Sequence, residues 1–354
     1  MSQVNVIPQD LVVKKNHSLI SLLPTESISL TKPKYVELWR KLTYTLINLV
    51  SRPKYFLVFI FARFRKIRQV YLFLTRLLSN STLTTNYRAI SLFEELDTAK
   101  ALDNLRQDAV YQGITLPPDF LSDLLQYLKN QDCYAGGRSN MGFRIADKQQ
   151  LDRICEQPFY VARYFNLSEQ CPQIKQLADD PKLRNIANNY IGKPAKYTGA
   201  SLFWTFPIDG ISSDADQQKF RYFHYDIDDF AGLRFCFYLT DVTMKDGPHV
   251  YIRGSHVKKQ ISHLLNYISR IQTKAELTKF YGSEQFSTIT GEAGTGFVED
   301  TFCFHKGAPP ESKPRLFLQL HFAANNYGRS PYLDNRDSNT LKSLNLSKQS
   351  EIFR

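Results

Sequence analysis

The chain has 354 residues, enough for one large domain with extensions or two modest ones. Hydrophobic residues make up 43% and charged residues 22%, which excludes a wholly disordered chain and a polytopic membrane protein. The net charge of +11 sits almost entirely in residues 31–80, where eleven Lys and Arg stand against Glu37 alone, so the basic character belongs to one segment.

Residues 1–33 carry Pro8, Pro24 and Pro33 and read as a loose tail. Residues 34–50 place Trp39, Leu42, Leu46, Leu49 and Val50 at helical spacing. Pro53 cannot continue that helix, because it lacks the backbone donor. Residues 54–79 read as a second helix. Its apolar run Tyr55–Ala62 falls well short of the ~20 residues a membrane span needs. Arg63, Arg65, Lys66 and Arg68 follow it, and four cations at mid-bilayer exclude a span. Two readings stay open: helices packed on the rest of the chain, or peripheral contact of residues 34–79 with an anionic membrane. Nothing resembles a nucleic-acid module, so no nucleic-acid partner is expected.

Residues 80–92 are linker-like. Residues 100–131 read as helix, short strand or turn, then helix; Pro117-Pro118-Asp119 opens the second, with Leu121, Leu124, Leu125 and Leu128 as its stripe. Residues 144–192 continue mostly helical. From residue 196 the pattern becomes strands: KYTGASLFWTF, RYFHYDID, GLRFCFYLTDV, HVYIRG, TGFVEDTFCFHK and RLFLQLHFAAN, with a helical insert at 257–285. Strands in this number without βαβ alternation argue for an antiparallel sandwich or barrel. The five cysteines (Cys133, Cys155, Cys171, Cys236, Cys303) are odd in number, at least 16 residues apart and form no CxxC. That argues against a disulfide framework and for a reducing compartment. The N-terminus carries no secretory pattern, so a cytoplasmic location is expected.

The chemistry-bearing residues are His224, Asp226, His305 and Arg315. Positions i and i+2 of a strand share a face, so His224 and Asp226 point the same way. His305 follows 81 residues later on another strand or its end. Two imidazoles and a carboxylate suit a divalent iron ion and leave three coordination positions open. Arg315 opens the last strand and shares a face with Phe317, Gln319 and His321. A guanidinium in a buried cavity needs an anion and can hold a carboxylate through two parallel hydrogen bonds. A dicarboxylate such as 2-oxoglutarate would chelate iron at its keto-acid end and lie on Arg315 at the other.

Three motifs, FHYD (223–226), LTDVTMKDGPHVYIRGSH (239–256) and DTFCFHKGAPPESKPR (300–315), resemble the phytanoyl-CoA dioxygenase family of iron(II)/2-oxoglutarate oxygenases. The resemblance spans roughly residues 100–330. It implies iron bound by His224, Asp226 and His305, 2-oxoglutarate held by Arg315, and hydroxylation of a small organic or lipid-like metabolite. The fold it implies is α+β: a double-stranded β-helix, or jelly roll, flanked by helices. To this the chain adds an N-terminal basic helical segment. The expected domains are a tail and basic aromatic helical extension (1–90), the catalytic domain (91–335) and a C-terminal tail (336–354). Two rival functions remain at this stage: a catalytically silent jelly-roll binding module at a membrane surface, and a metal dioxygenase that does not use 2-oxoglutarate.

Gln319 is a candidate co-substrate or substrate contact. His321 reads as a barrel histidine with its hydrogen bonds satisfied, and His256 as part of a strand-ending turn. His249, after Gly247-Pro248, is weighed as a cavity-facing residue, the less favoured of its two readings, while His263 in the insert and His17 in the tail are not candidates. Tyr197 and Trp204 are read as core packing.

Overall fold

The computed structural model describes residues 49–50, 53–78, 90–154, 159–207, 222–265, 272–327 and 335–344. The expected tail over 1–33 and most of the helix over 34–50 lie outside these residues. The chain divides into two compact units, Met1–Phe56 and Leu57–Arg354. In the first, Leu49–Val50 and Pro53–Phe56 are helical. Both sheets belong to the second.

The strands are β1 (Val110–Thr115), β2 (Asp132–Ala135), β3 (Gly142–Arg144), β4 (Val161–Tyr164), β5 (Lys196–Thr205), β6 (Gly232–Tyr238), β7 (His249–Ile252), β8 (Phe286–Ile289), β9 (Thr295–Glu299), β10 (His305–Gly307) and β11 (Arg315–Ala323). One antiparallel sheet runs β1-β9-β6-β11-β5-β4-β2-β3, the other β10-β7-β8. A bridge between His224 and His305 adds the segment before β6 to the edge of the smaller sheet. From β5 onward the chain passes back and forth between two facing sheets, through the His224 bridge, β6, the β7–β8 pair, β9, β10 and β11, the jelly-roll arrangement within an α+β fold.

Alternation along β11 sets the layers. Leu316, Leu318 and Leu320 point outward into a core built with the helices. Arg315, Phe317, Gln319 and His321 point between the sheets, where Phe203, Tyr238, Tyr251, Phe297 and Phe317 pack together. The register Arg315↔Thr205 and Phe317↔Tyr238 aligns the inward rows of β5, β6 and β11. Trp204 falls on the outward face of β5 and packs against the helical core, as does Tyr197.

Several expected elements differ. Residues 54–79 form two helices, α1 (Pro53–Phe61) and α2 (Arg65–Leu78). Side-chain donors satisfy carbonyls around the break: Arg63 Nη2 donates to Phe59 O (2.9 Å) and Arg68 Nη1 to Ala62 O (2.9 Å). The stretch 144–192, expected as mostly helical, contains β4, because VARY pairs along β5 from Val161↔Thr205 to Tyr164↔Leu202. Long-range pairing overrides local propensity there. The described part of RYFHYDID, residues 222–228, is no ladder strand; it makes single bridges at Phe223 and His224. TGFVEDTFCFHK splits into β9 and β10 around a turn in which Asp300 Oδ1 accepts from Phe302 N (2.9 Å).

Among the described residues no helix is long and apolar enough to cross a membrane. One face of α2 is instead built into the jelly roll. The Arg68 guanidinium lies 3.7 Å over the Phe302 ring and reaches His256 O. Tyr71 stacks on Phe230 at 4.0 Å and accepts from Asn325 Nδ2 (3.0 Å). Arg68→Ala removes a buried cation–π contact and strands two carbonyls. It should destabilise the protein by about 2–3 kcal/mol, read from the urea midpoint. A loss under ~0.5 kcal/mol would mean that α2 is not part of the fold's cooperative unit.

Candidate metal centre and its surroundings

His224 and His305 are opposed across the bridge, each backbone N–H donating to the other's carbonyl at 2.9 and 2.8 Å. Their rings consequently lie side by side, centroids 4.6 Å apart. Asp226 N donates to Thr301 O (2.8 Å), which fixes the carboxylate next to both rings. One ligand atom from each of His224, Asp226 and His305 falls within 4.8 Å of the others. The three residues expected from sequence to gather do gather.

The ring of His305 has two distinct sides. Nε2 faces Asp226 Oδ2 at 3.6 Å. Nδ1 faces Cys303 O at 3.1 Å and Glu299 Oε1 at 3.5 Å. Glu299, Cys303 and His305 form a second group of potential ligands, all buried. Its thiol makes it the weaker metal site. Cys303 Sγ donates to Glu299 Oε1 (3.0 Å), and burial together with that carboxylate pushes the thiol well above its usual range. A protonated thiol is a poor ligand. The His224–Asp226 side is therefore the one with charge and geometry for a cation, and Glu299 stands behind His305 as its orienting carboxylate.

Sequence reasoning missed three residues here. Glu299 is fully buried; burial works to raise its carboxyl, but His249 and His305 outweigh that and hold it at about 2. His249, whose cavity-facing reading is the less favoured one from sequence, lies between the sheets, with Nε2 3.1 Å from Glu299 Oε1 and its ring 5.5 Å from that of His305. Arg234 bridges Asp226 Oδ2 (2.6 Å) and Asp228 Oδ2 (2.7 Å). Burial opposes ionisation of Asp226, yet Arg234 and the two imidazoles hold its carboxyl well below the usual range. All three missed residues occupy inward positions of otherwise apolar strands. A charged or imidazole side chain alternating with Phe297 or Cys236 was the available signal.

Glu299→Gln keeps the shape but removes the negative charge beside His305. Affinity for Mn²⁺ should fall about 10- to 100-fold by calorimetry while the melting temperature changes little. Unchanged affinity would remove Glu299 from the metal's support.

Arg315 is 1% exposed. Its Nη1 donates to Gly247 O. Gly247 has φ +78° and a Cβ there would meet Ala308 O at 2.8 Å, so this close approach requires glycine. The Nε of Arg315 has no hydrogen-bond partner. Burial lowers its pKa, opposed only by Tyr238, Tyr160 and Cys236; among the described residues no carboxylate pairs with it. Gln319 lies four residues further on in the same row, beyond Phe317, accepting from Ser201 Oγ (3.0 Å). His321 ends the row near the same hydroxyl (3.4 Å). His256 is held at Arg106 O (3.2 Å), away from the trio, and His263 packs on Phe304 with no place in it.

No family model and no curated protein matches the chain. Solved structures do. EctD from S. alaskensis with bound Fe is 18% identical, with 73% of this chain and 94% of that one covered and a TM-score of 0.43. HygX from Streptomyces hygroscopicus, with nickel, 2-oxoglutarate and hygromycin B bound, is 13% identical over 67% of this chain and 89% of its own, TM-score 0.43. The epimerase SnoN, in complex with Fe3+, alpha ketoglutarate and nogalamycin RO, is 14% identical over 68% and 90%, TM-score 0.44.

Proposed function

We propose that the chain is an iron(II)- and 2-oxoglutarate-dependent oxygenase that hydroxylates an unactivated C–H bond of a small organic or lipid-like molecule. Arg315 is the observation that carries this reading. A buried guanidinium without an acid is unstable unless a ligand supplies the anion. It stands between the same two sheets as a His/Asp/His trio suited to one divalent cation. A dicarboxylate fits both needs at once.

In this reading His224, Asp226 and His305 would hold the metal, which when bound supplies the redox chemistry that couples decarboxylation of 2-oxoglutarate to oxidation of substrate. Arg315 takes the distal carboxylate, aligned by its bond to Gly247 O. Cys303 O and Glu299 together hold the Nδ1 side of His305, leaving Nε2 toward the cation. Arg234 keeps Asp226 ionised and turned toward the imidazoles. The aromatic wall of Phe203, Phe297 and Phe317 excludes water from the co-substrate side.

A silent binding module has no use for an acid-free buried arginine beside a complete ligand trio. A metal dioxygenase without 2-oxoglutarate has no use for Arg315. The purified protein, given Fe²⁺, dioxygen and 2-oxoglutarate, should release succinate, slowly without substrate. Absence of succinate under these conditions, with metal bound, would contradict the proposal. That residues 34–79 contact an anionic membrane surface is a separate proposal, carried by the basic charge of the segment.

A further inference from the structure

The helix α2 is amphipathic in the opposite sense to an ordinary surface helix. Its inward side carries Arg68, Tyr71 and Leu72, which are buried or half-buried. Its solvent side carries Val70, Phe73, Leu74 and Leu77, at i, i+3, i+4 and i+7, exposed by 57%, 60%, 50% and 65%. Four large apolar side chains in one stripe on a convex helix form a patch that a soluble surface ordinarily avoids.

The charges decide what covers it. Arg65, Lys66 and Arg76 are exposed on the same helix, and residues 38–93 contain ten Lys or Arg and no acid. A second copy seated on the stripe would bring these cations against their equivalents. An anionic bilayer offers the complementary charge and needs no matching groove. The inward face of α2 meanwhile touches the wall of a small cavity of about 30 Å³: Arg68 covers Phe302, and Asn325 joins Tyr71 to Asp229.

We propose that α2 docks the protein on an anionic membrane through Val70, Phe73, Leu74 and Leu77. This docking surface does not rest on the oxygenase reading.

The test uses the full chain and vesicles of equal parts phosphatidylglycerol and phosphatidylcholine, followed by flotation. Wild type should float with these vesicles and stay behind with phosphatidylcholine alone. Val70→Ser/Phe73→Ser/Leu77→Ser should cut vesicle affinity at least ~100-fold without changing the melting temperature. Arg65→Glu/Lys66→Glu, both exposed, is the second variant if the first does not fold, and should weaken binding at least ~10-fold. Failure of wild type to float, flotation untouched by either variant, or a dimer by light scattering that the triple variant dissociates would each overturn the docking surface. A chain that floats but binds no 2-oxoglutarate leaves the docking surface standing and fails the oxygenase reading.

Discussion

Asp226→Ala and His305→Ala should each abolish stoichiometric metal binding and succinate release while leaving the fold intact. The argument is geometric. Three ligand atoms within 4.8 Å of one another supply the chelate, and two cannot hold a divalent ion against solvent with comparable affinity. Loss of a supporting group alone costs about 10- to 100-fold in such sites, so loss of a ligand should exceed ~100-fold. Asp226→Ala carries a further effect, since Arg234 then keeps only Asp228 as its acid partner and its positive charge opposes the metal. Asp226→Asn, which keeps the shape without the charge, should bind metal poorly as well. Metal content by mass spectrometry and succinate by chromatography read both. Full content and turnover in both alanine variants would mean that the ion sits elsewhere.

Arg315→Ala should raise the 2-oxoglutarate requirement far more than it disturbs the metal. Removing one partner of a buried, hydrogen-bonded charge pair costs about 2–5 kcal/mol, which is roughly thirty- to four-thousand-fold in affinity. The stability of the free protein should hold or rise, because the variant removes a buried cation that no acid pairs with. That opposite movement of stability and co-substrate affinity distinguishes a ligand-binding arginine from a structural one. Arg315→Lys should rescue only in part, since a point charge does not reproduce the planar fork. Unchanged 2-oxoglutarate affinity in Arg315→Ala would exclude the role.

The metal trio was legible because extended backbone puts i and i+2 on one side even where the ladder is reduced to a single bridge, as at His224. Arg315 was legible for the same reason on β11. Its acid-free surroundings were not, since they depend on which side chains β5, β6 and β7 bring to its level. Glu299 and Arg234 are cross-strand partners in the β6–β9 register, and no local pattern specifies that pairing. For the basic helical segment the sequence left packing and membrane contact open, because helical spacing alone does not say which face turns inward. Here Arg68 and Tyr71 take the inward side, held by Phe302, His256 and Phe230, and the apolar stripe is left outside.

The most direct measurement is calorimetric titration of 2-oxoglutarate into the full-length protein with and without Mn²⁺, the redox-silent stand-in for iron. One 2-oxoglutarate per chain should bind in the presence of one equivalent of Mn²⁺, and binding should weaken at least ~100-fold when the metal is withheld, because the keto-acid end then has nothing to chelate. Binding that is equally tight without metal, or no binding in its presence, would contradict the account.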